Sequence, residues 1–97
     1  MIKDYELMMM YTPKLNSDEA EAANEAALSL LREAGAEIIK TDPWGKRILA
    51  YPIEKLQEAY YYVNYLKMDS LAVKGAKNLF NINEKIMRHM FVARDEN

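Results

Sequence analysis

Apolar and polar residues alternate from Tyr5 to Tyr11, with Tyr5, Leu7, Met9 and Tyr11 on one side and Glu6, Met8 and Met10 on the other. This two-residue period predicts a strand, ended by Thr12-Pro13 because proline has no amide hydrogen to give a ladder. The period then becomes helical. Asn16 or Ser17 supplies a cap, Asp18 and Glu19 an acidic first turn, Ala20, Ala23, Ala27, Leu30, Leu31 and Ala34 form the apolar stripe, and Gly35 is the stop. Glu19, Glu21, Glu25 and Glu33 read as its solvated face. Ala36 to Thr41 predicts a second strand, Asp42-Pro43-Trp44-Gly45 a turn or bulge, and Lys46 to Tyr51 the same strand continuing to Pro52. Glu54 to Glu58 reads as a polar connection. Tyr60 to Leu66, dense in aromatic and β-branched residues, is the strongest strand signal in the chain. Asp69 or Ser70 caps a second helix reaching about Asn81, with Leu71 or Ala72, Ala76, Leu79 and Phe80 as its stripe. Ile86 to Ala93 forms the last strand, and Arg94 to Asn97 a short polar tail expected to fray.

The order β-α-β-β-α-β is that of the ferredoxin-like α+β fold, a four-stranded antiparallel sheet. Right-handed crossovers place both helices on one face of it. The 97 residues suffice for one core, so a single domain over 1–97 is expected. Two helices cover one side of such a sheet, yet apolar side chains occupy both alternation sets. Met8 and Met10 oppose Leu7 and Met9; Tyr61, Val63 and Tyr65 oppose Tyr60, Tyr62 and Leu66; Ile86, Met90 and Val92 oppose Met87 and Phe91. Strands buried on one side alone should alternate cleanly. The surplus predicts a partner-binding surface, with Met8, Met10, Trp44, Tyr51, Tyr61, Tyr65 and Met90 as its candidates; methionine and tyrosine suit adaptable, amphipathic contacts.

Composition narrows the classes. There is no cysteine, which excludes thiolate metal sites, a cysteine nucleophile and disulfides, and fits a reducing compartment. No apolar run is long enough for a membrane span, and Met1 to Glu6 lacks the pattern of a signal peptide. The cytoplasm is the expected setting. The net charge of −2 speaks against a uniformly basic nucleic-acid binder. Its distribution is uneven: four basic residues against nine acidic up to Trp44, then nine against six from Gly45 onwards. A local basic surface remains open to the second half.

Nothing in the chain points to catalysis. His89, the only histidine, sits among apolar residues without triad or metal partners, the three glycines stand alone rather than in a phosphate loop, and no carboxylate pair closes a strand end. No cofactor or metal is expected. For nucleic acid, the third strand carries aromatics but neither the glycines nor the opening cation of an RNA-recognition motif, so base stacking on the open sheet has no support there. What remains is a set of cations near strand ends and turns, Lys3, Lys46, Arg47, Lys55, Arg88 and Arg94, placed to meet phosphates.

The run Trp44-Gly45-Lys46-Arg47-Ile48-Leu49-Ala50-Tyr51-Pro52-Ile53, with Lys55 two positions on, resembles the central signature of the S-six family of bacterial small-subunit ribosomal proteins. Tyr5-Glu6 fits that family's first strand and Ile86-Met87-Arg88-His89-Met90 its last, so the likeness spans essentially the whole chain. The resemblance implies a structural protein that binds small-subunit ribosomal RNA in the central domain. It also implies a heterodimer with the eighteenth small-subunit protein, whose basic charge would offset the acidity here, and no small-molecule substrate. Lys46 and Arg47 match the family's basic pair, Arg88 its last-strand arginine, and Lys3 its basic amino end. Two positions depart: Asp4 stands where an arginine or histidine is common, and Ile48 where some members are polar or basic. The competing reading is a homodimeric ferredoxin-like module that binds a small ligand or performs cofactor-free oxidation. Its pocket would draw on His89, Asn64 and tyrosine hydroxyls.

Overall fold

The computed structural model describes residues 1–94; the expected frayed tail from Asp95 to Asn97 lies outside the described residues. The elements run β1 (Ile2–Tyr11), α1 (Ser17–Glu33), β2 (Glu37–Ile53), β3 (Leu56–Asp69), a 3₁₀ turn (Ser70–Ala72), α2 (Val73–Asn81) and β4 (Ile86–Arg94). All pairings are antiparallel and the strand order is β2-β3-β1-β4. This is the ferredoxin-like fold that the pattern predicts.

Helix α1 is specified at both ends. Asn16 accepts the Glu19 amide at 2.8 Å and Glu19 accepts the Asn16 amide at 2.8 Å, a reciprocal capping box. At the other end Gly35, at φ 93°, donates to the Arg32 carbonyl, and Ala36 donates to that of Leu31. That is a Schellman turn, and the left-handed conformation is why glycine stands there. Both helices bury their stripes in one cluster with the odd-numbered side chains of β1 (Tyr5, Leu7, Met9, Tyr11) and with Tyr60, Tyr62, Leu66 and Met68 of β3. The helices therefore share a face.

Several boundaries differ from expectation. The polar connection is reduced to Glu54 and Lys55, whose φ of 49° and 68° makes a tight two-residue hairpin turn, and β3 begins at Leu56. The turn or bulge at Asp42–Gly45 is a bulge inside a continuous strand, with the register shifting across Trp44. In α2, Asp69 caps the 3₁₀ turn through the Leu71 amide, leaving Leu71 exposed; Val73, Ala76 and Phe80 form the buried stripe and Leu79 lies off it. In α1, Leu28 and Asn24 are buried while Leu30 and Ala34 are not. Ile86, placed by alternation with Met90, instead packs on the core, because a register shift between Met10 and Tyr11 interrupts the alternation.

Candidate RNA and protein interface

The register turns the face opposite the helices into five rows. Glu37, Lys67, Asp4 and Arg94 lie side by side across the four strands, then Lys40, Tyr65, Glu6 and Val92, then Asp42, Val63, Met8 and Met90, then Gly45, Tyr61, Met10 and Arg88. Beyond the end of β1, Arg47 faces Ala59 in the projecting β2–β3 hairpin. The face is thus zoned along the strands. One end is charged with alternating signs, the middle is apolar, and the hairpin end is aromatic and cationic.

In the charged end two ion pairs form. Arg94 lies 3.4 Å from Glu6, and Lys40 lies 3.6 Å from Asp42 while also sitting over the Tyr65 ring at 4.8 Å. In the middle, Met90 is 53% exposed and Val92 is also open. No helix covers them. Val63 and Met10 are exceptions. Met10, expected on the partner surface, is only 9% exposed because Tyr61 and Arg88 flank it on the neighbouring strands. It forms the floor of the patch rather than its skin.

The hairpin end carries the sharpest geometry. Trp44, pushed out at the bulge, stacks on Tyr61 with planes 12° apart and centroids at 6.5 Å. Arg47 donates from Nε to the Trp44 carbonyl at 2.9 Å and holds its guanidinium 5.9 Å from the Trp44 ring. Further along, β2 spends five positions from Ile48 to Ile53 where β3 spends two, from Glu58 to Leu56. This surplus brings Tyr51 to Arg88, although β3 and β1 separate their strands: the guanidinium is 5.8 Å from the ring and donates to the hydroxyl at 3.4 Å. Tyr51 remains 60% exposed and Trp44 46%. Neither Arg47 nor Arg88 has a carboxylate partner among the described residues.

The six cations expected at an RNA surface do not form one cluster. Arg47 and Arg88 lie at the hairpin end of the open face, and Lys55 stands in the tip turn of the hairpin. Lys3 and Arg94 stand at the opposite end of the sheet, beside Met68 and Asp4 respectively. Lys46 and Arg47, adjacent in sequence, point to opposite sides as strand neighbours must. Lys46 lies over Tyr60 on the helix side, at 4.0 Å from Glu58.

The polar groups considered for a ligand pocket do not converge. Asn64 is fully buried and exchanges amide hydrogen bonds with Asn24, both at 3.0 Å; Thr41 donates to Asn64 and Tyr11 donates to Asn24, each at 2.8 Å. Burial, and secondarily Tyr62, pushes the Tyr11 phenol far above its ordinary range. The sequence pattern gave no hint of this network, since Asn24 falls inside a helical stretch and its partners are up to 40 residues away. His89 bonds Asn81 through Nε2 at 2.9 Å and packs edge-on to Phe80. Burial, and then Lys77, holds its pKa below the usual imidazole value. Among the described residues no group of acidic or imidazole side chains is arranged to hold a metal, and no helix is long and apolar enough to cross a membrane.

A helix-backed sheet with an open apolar middle and, among the described residues, two guanidinium groups without carboxylate partners at one end points to a class: a component of a larger assembly. The Ribosomal protein S6 family model matches residues 4–93, and the chain belongs to that family. It is similar to the small ribosomal subunit protein bS6 of Carboxydothermus hydrogenoformans, 32% identical over 96 residues covering 99% of this chain and 100% of that protein. A second bS6, from Desulforamulus reducens, is 35% identical over 95 residues, covering 98% and 100%. The crystal structure of 30S ribosomal protein S6 from Thermotoga maritima superposes with a TM-score of 0.90 at 26% identity, over 97% of this chain and 89% of that one. Family membership makes the chain a structural, non-enzymatic constituent of the small ribosomal subunit in the cytoplasm.

Proposed function

We propose that the chain joins the small subunit as half of a heterodimer with the eighteenth small-subunit protein, bound to the central domain of the small-subunit ribosomal RNA. The apolar middle of the open face, with Met8, Tyr61, Tyr65 and Met90, buries against the protein. The hairpin end, with Arg47, Arg88 and Lys55, meets RNA phosphates. One observation carries this reading: two guanidinium groups without carboxylate partners among the described residues border an apolar sheet face opposite the helices. The reading asks nothing of Lys3, or of Arg94, which Glu6 largely neutralises.

Phosphate contacts release counterions, so affinity falls with salt at a slope set by the number of contacts. Arg47→Ala and Arg88→Ala are each expected to weaken RNA binding and reduce that slope by about 0.7–0.9 per contact. Thermal unfolding should stay close to wild type, because both side chains are exposed. Titrating the heterodimer with RNA at several salt concentrations measures both quantities. Unchanged affinity and slope in both variants would remove these residues from the RNA surface.

A further inference from the structure

We propose that the hairpin end of the open face is a stacking site for an unpaired RNA base, with the Tyr51 ring as its platform. The proposal rests on the ribosomal-RNA reading above and goes beyond its phosphate contacts. Tyr51 and Trp44 are the exposed aromatic rings of this end, and each already has a guanidinium within cation–π range, Arg88 at 5.8 Å and Arg47 at 5.9 Å. A planar cation over a ring is the arrangement that a nucleobase extends or replaces, since bases stack on aromatic and guanidinium planes alike. Trp44 is held in place by its parallel stack on Tyr61. Tyr51 has no such ring partner among the described residues and meets Arg88 at its hydroxyl, so its exposed ring is the one open to a base.

The occupant follows from charge. Two guanidinium groups with no carboxylate partner among the described residues are costly to bury against an apolar protein surface and favourable beside a phosphate chain. The apolar middle lacks such groups and suits a protein; the hairpin end has them and suits RNA. The site also differs from the sheet-centre stacking of an RNA-recognition motif. Its platform lies on β2 within the slip between Ile48 and Ile53, where the strand departs from the regular ladder.

The test compares the whole chain with Tyr51→Ala and Tyr51→Phe on two probes, a single-stranded oligoribonucleotide of roughly ten nucleotides and a blunt duplex of the same sequence. Fluorescence of Trp44, the only tryptophan, reports binding. Tyr51→Ala should weaken the single strand about tenfold, Tyr51→Phe should restore it, and neither should change the duplex. Equal losses on both probes, no loss on either, or no binding of the single strand by wild type overturns the stacking site. So does loss of heterodimer formation in Tyr51→Ala with single-strand binding intact, which would assign the ring to the protein neighbour. A chain whose RNA binding keeps its Arg47- and Arg88-dependent salt slope but ignores Tyr51 refutes stacking alone. One indifferent to all three residues refutes the phosphate surface beneath it as well.

Discussion

Two side chains that look ordinary in sequence decide how firmly the sheet is held to its helices. Asn24 and Asn64 face each other in the core, and each amide oxygen accepts a second bond, from Tyr11 and Thr41. Four elements are thereby joined through one network. Asn24→Ala would strand the Tyr11 hydroxyl and part of the Asn64 amide, at roughly 1–3 kcal/mol for each buried unsatisfied group. A Tm loss of about 4–8 °C per kcal/mol is then expected in a domain of this size. Calorimetry measures it, and a loss under one degree would mean that water takes over the bonds. His89 gives a pH signature. Its folded pKa lies below the unfolded value, so the neutral ring contributes stability that is present above about pH 6.5 and is lost as pH falls through that value toward the folded pKa. Denaturant unfolding at pH 7.5 and pH 5 should therefore show a drop that His89→Gln reduces. The carboxyl of Asp69, held low by the Leu71 amide, titrates below this window and does not confuse it. An equal drop in both proteins would mean that the pH dependence arises elsewhere.

At the scale of elements, the parts legible in the sequence are those whose signals are local. The start of α1 is announced by a cap at Asn16 or Ser17 and an acidic first turn, its end by Gly35, and β1 and β3 by alternation and aromatic density. The parts missed are those decided by partners. Glu54 and Lys55 make a tight turn without the glycine or asparagine that usually announces one, so the start of β3 read as a loop. The five-against-two slip near the tip cannot be seen in β2 alone, since register is a property of two strands. The same slip brings Tyr51 to Arg88, residues 37 apart in sequence, so the candidate site was readable as a collection of residue types but not as an arrangement. Lys46 and Arg47 illustrate the point: neighbours in a motif, they part to opposite sides once the segment is a strand.

For the molecule as a whole, the asymmetry between its two faces carries the assembly argument and can be tested directly. Met90 on the open face and Leu79 on the outer side of α2 are similarly exposed, at 53% and 47%. A lysine at either position costs the folded chain little, within about 0.5 kcal/mol for exposed sites away from special features. Their effects on assembly should diverge. Met90→Lys places a charge in the apolar middle of the surface assigned to the protein partner, and an uncompensated charge buried there costs roughly 3–5 kcal/mol. Isothermal titration with the eighteenth small-subunit protein, without RNA, should then show a loss of about a hundredfold or more, since each 1.4 kcal/mol is tenfold. Leu79→Lys should bind as wild type. If both variants bind normally, the apolar middle is not the contact; if Leu79→Lys is the damaging one, the partner sits on the helices. Loss with Met90→Lys alone is the pattern expected of a sheet whose open side is completed by its neighbour, because there the chain leaves apolar strand residues on the side away from its helices.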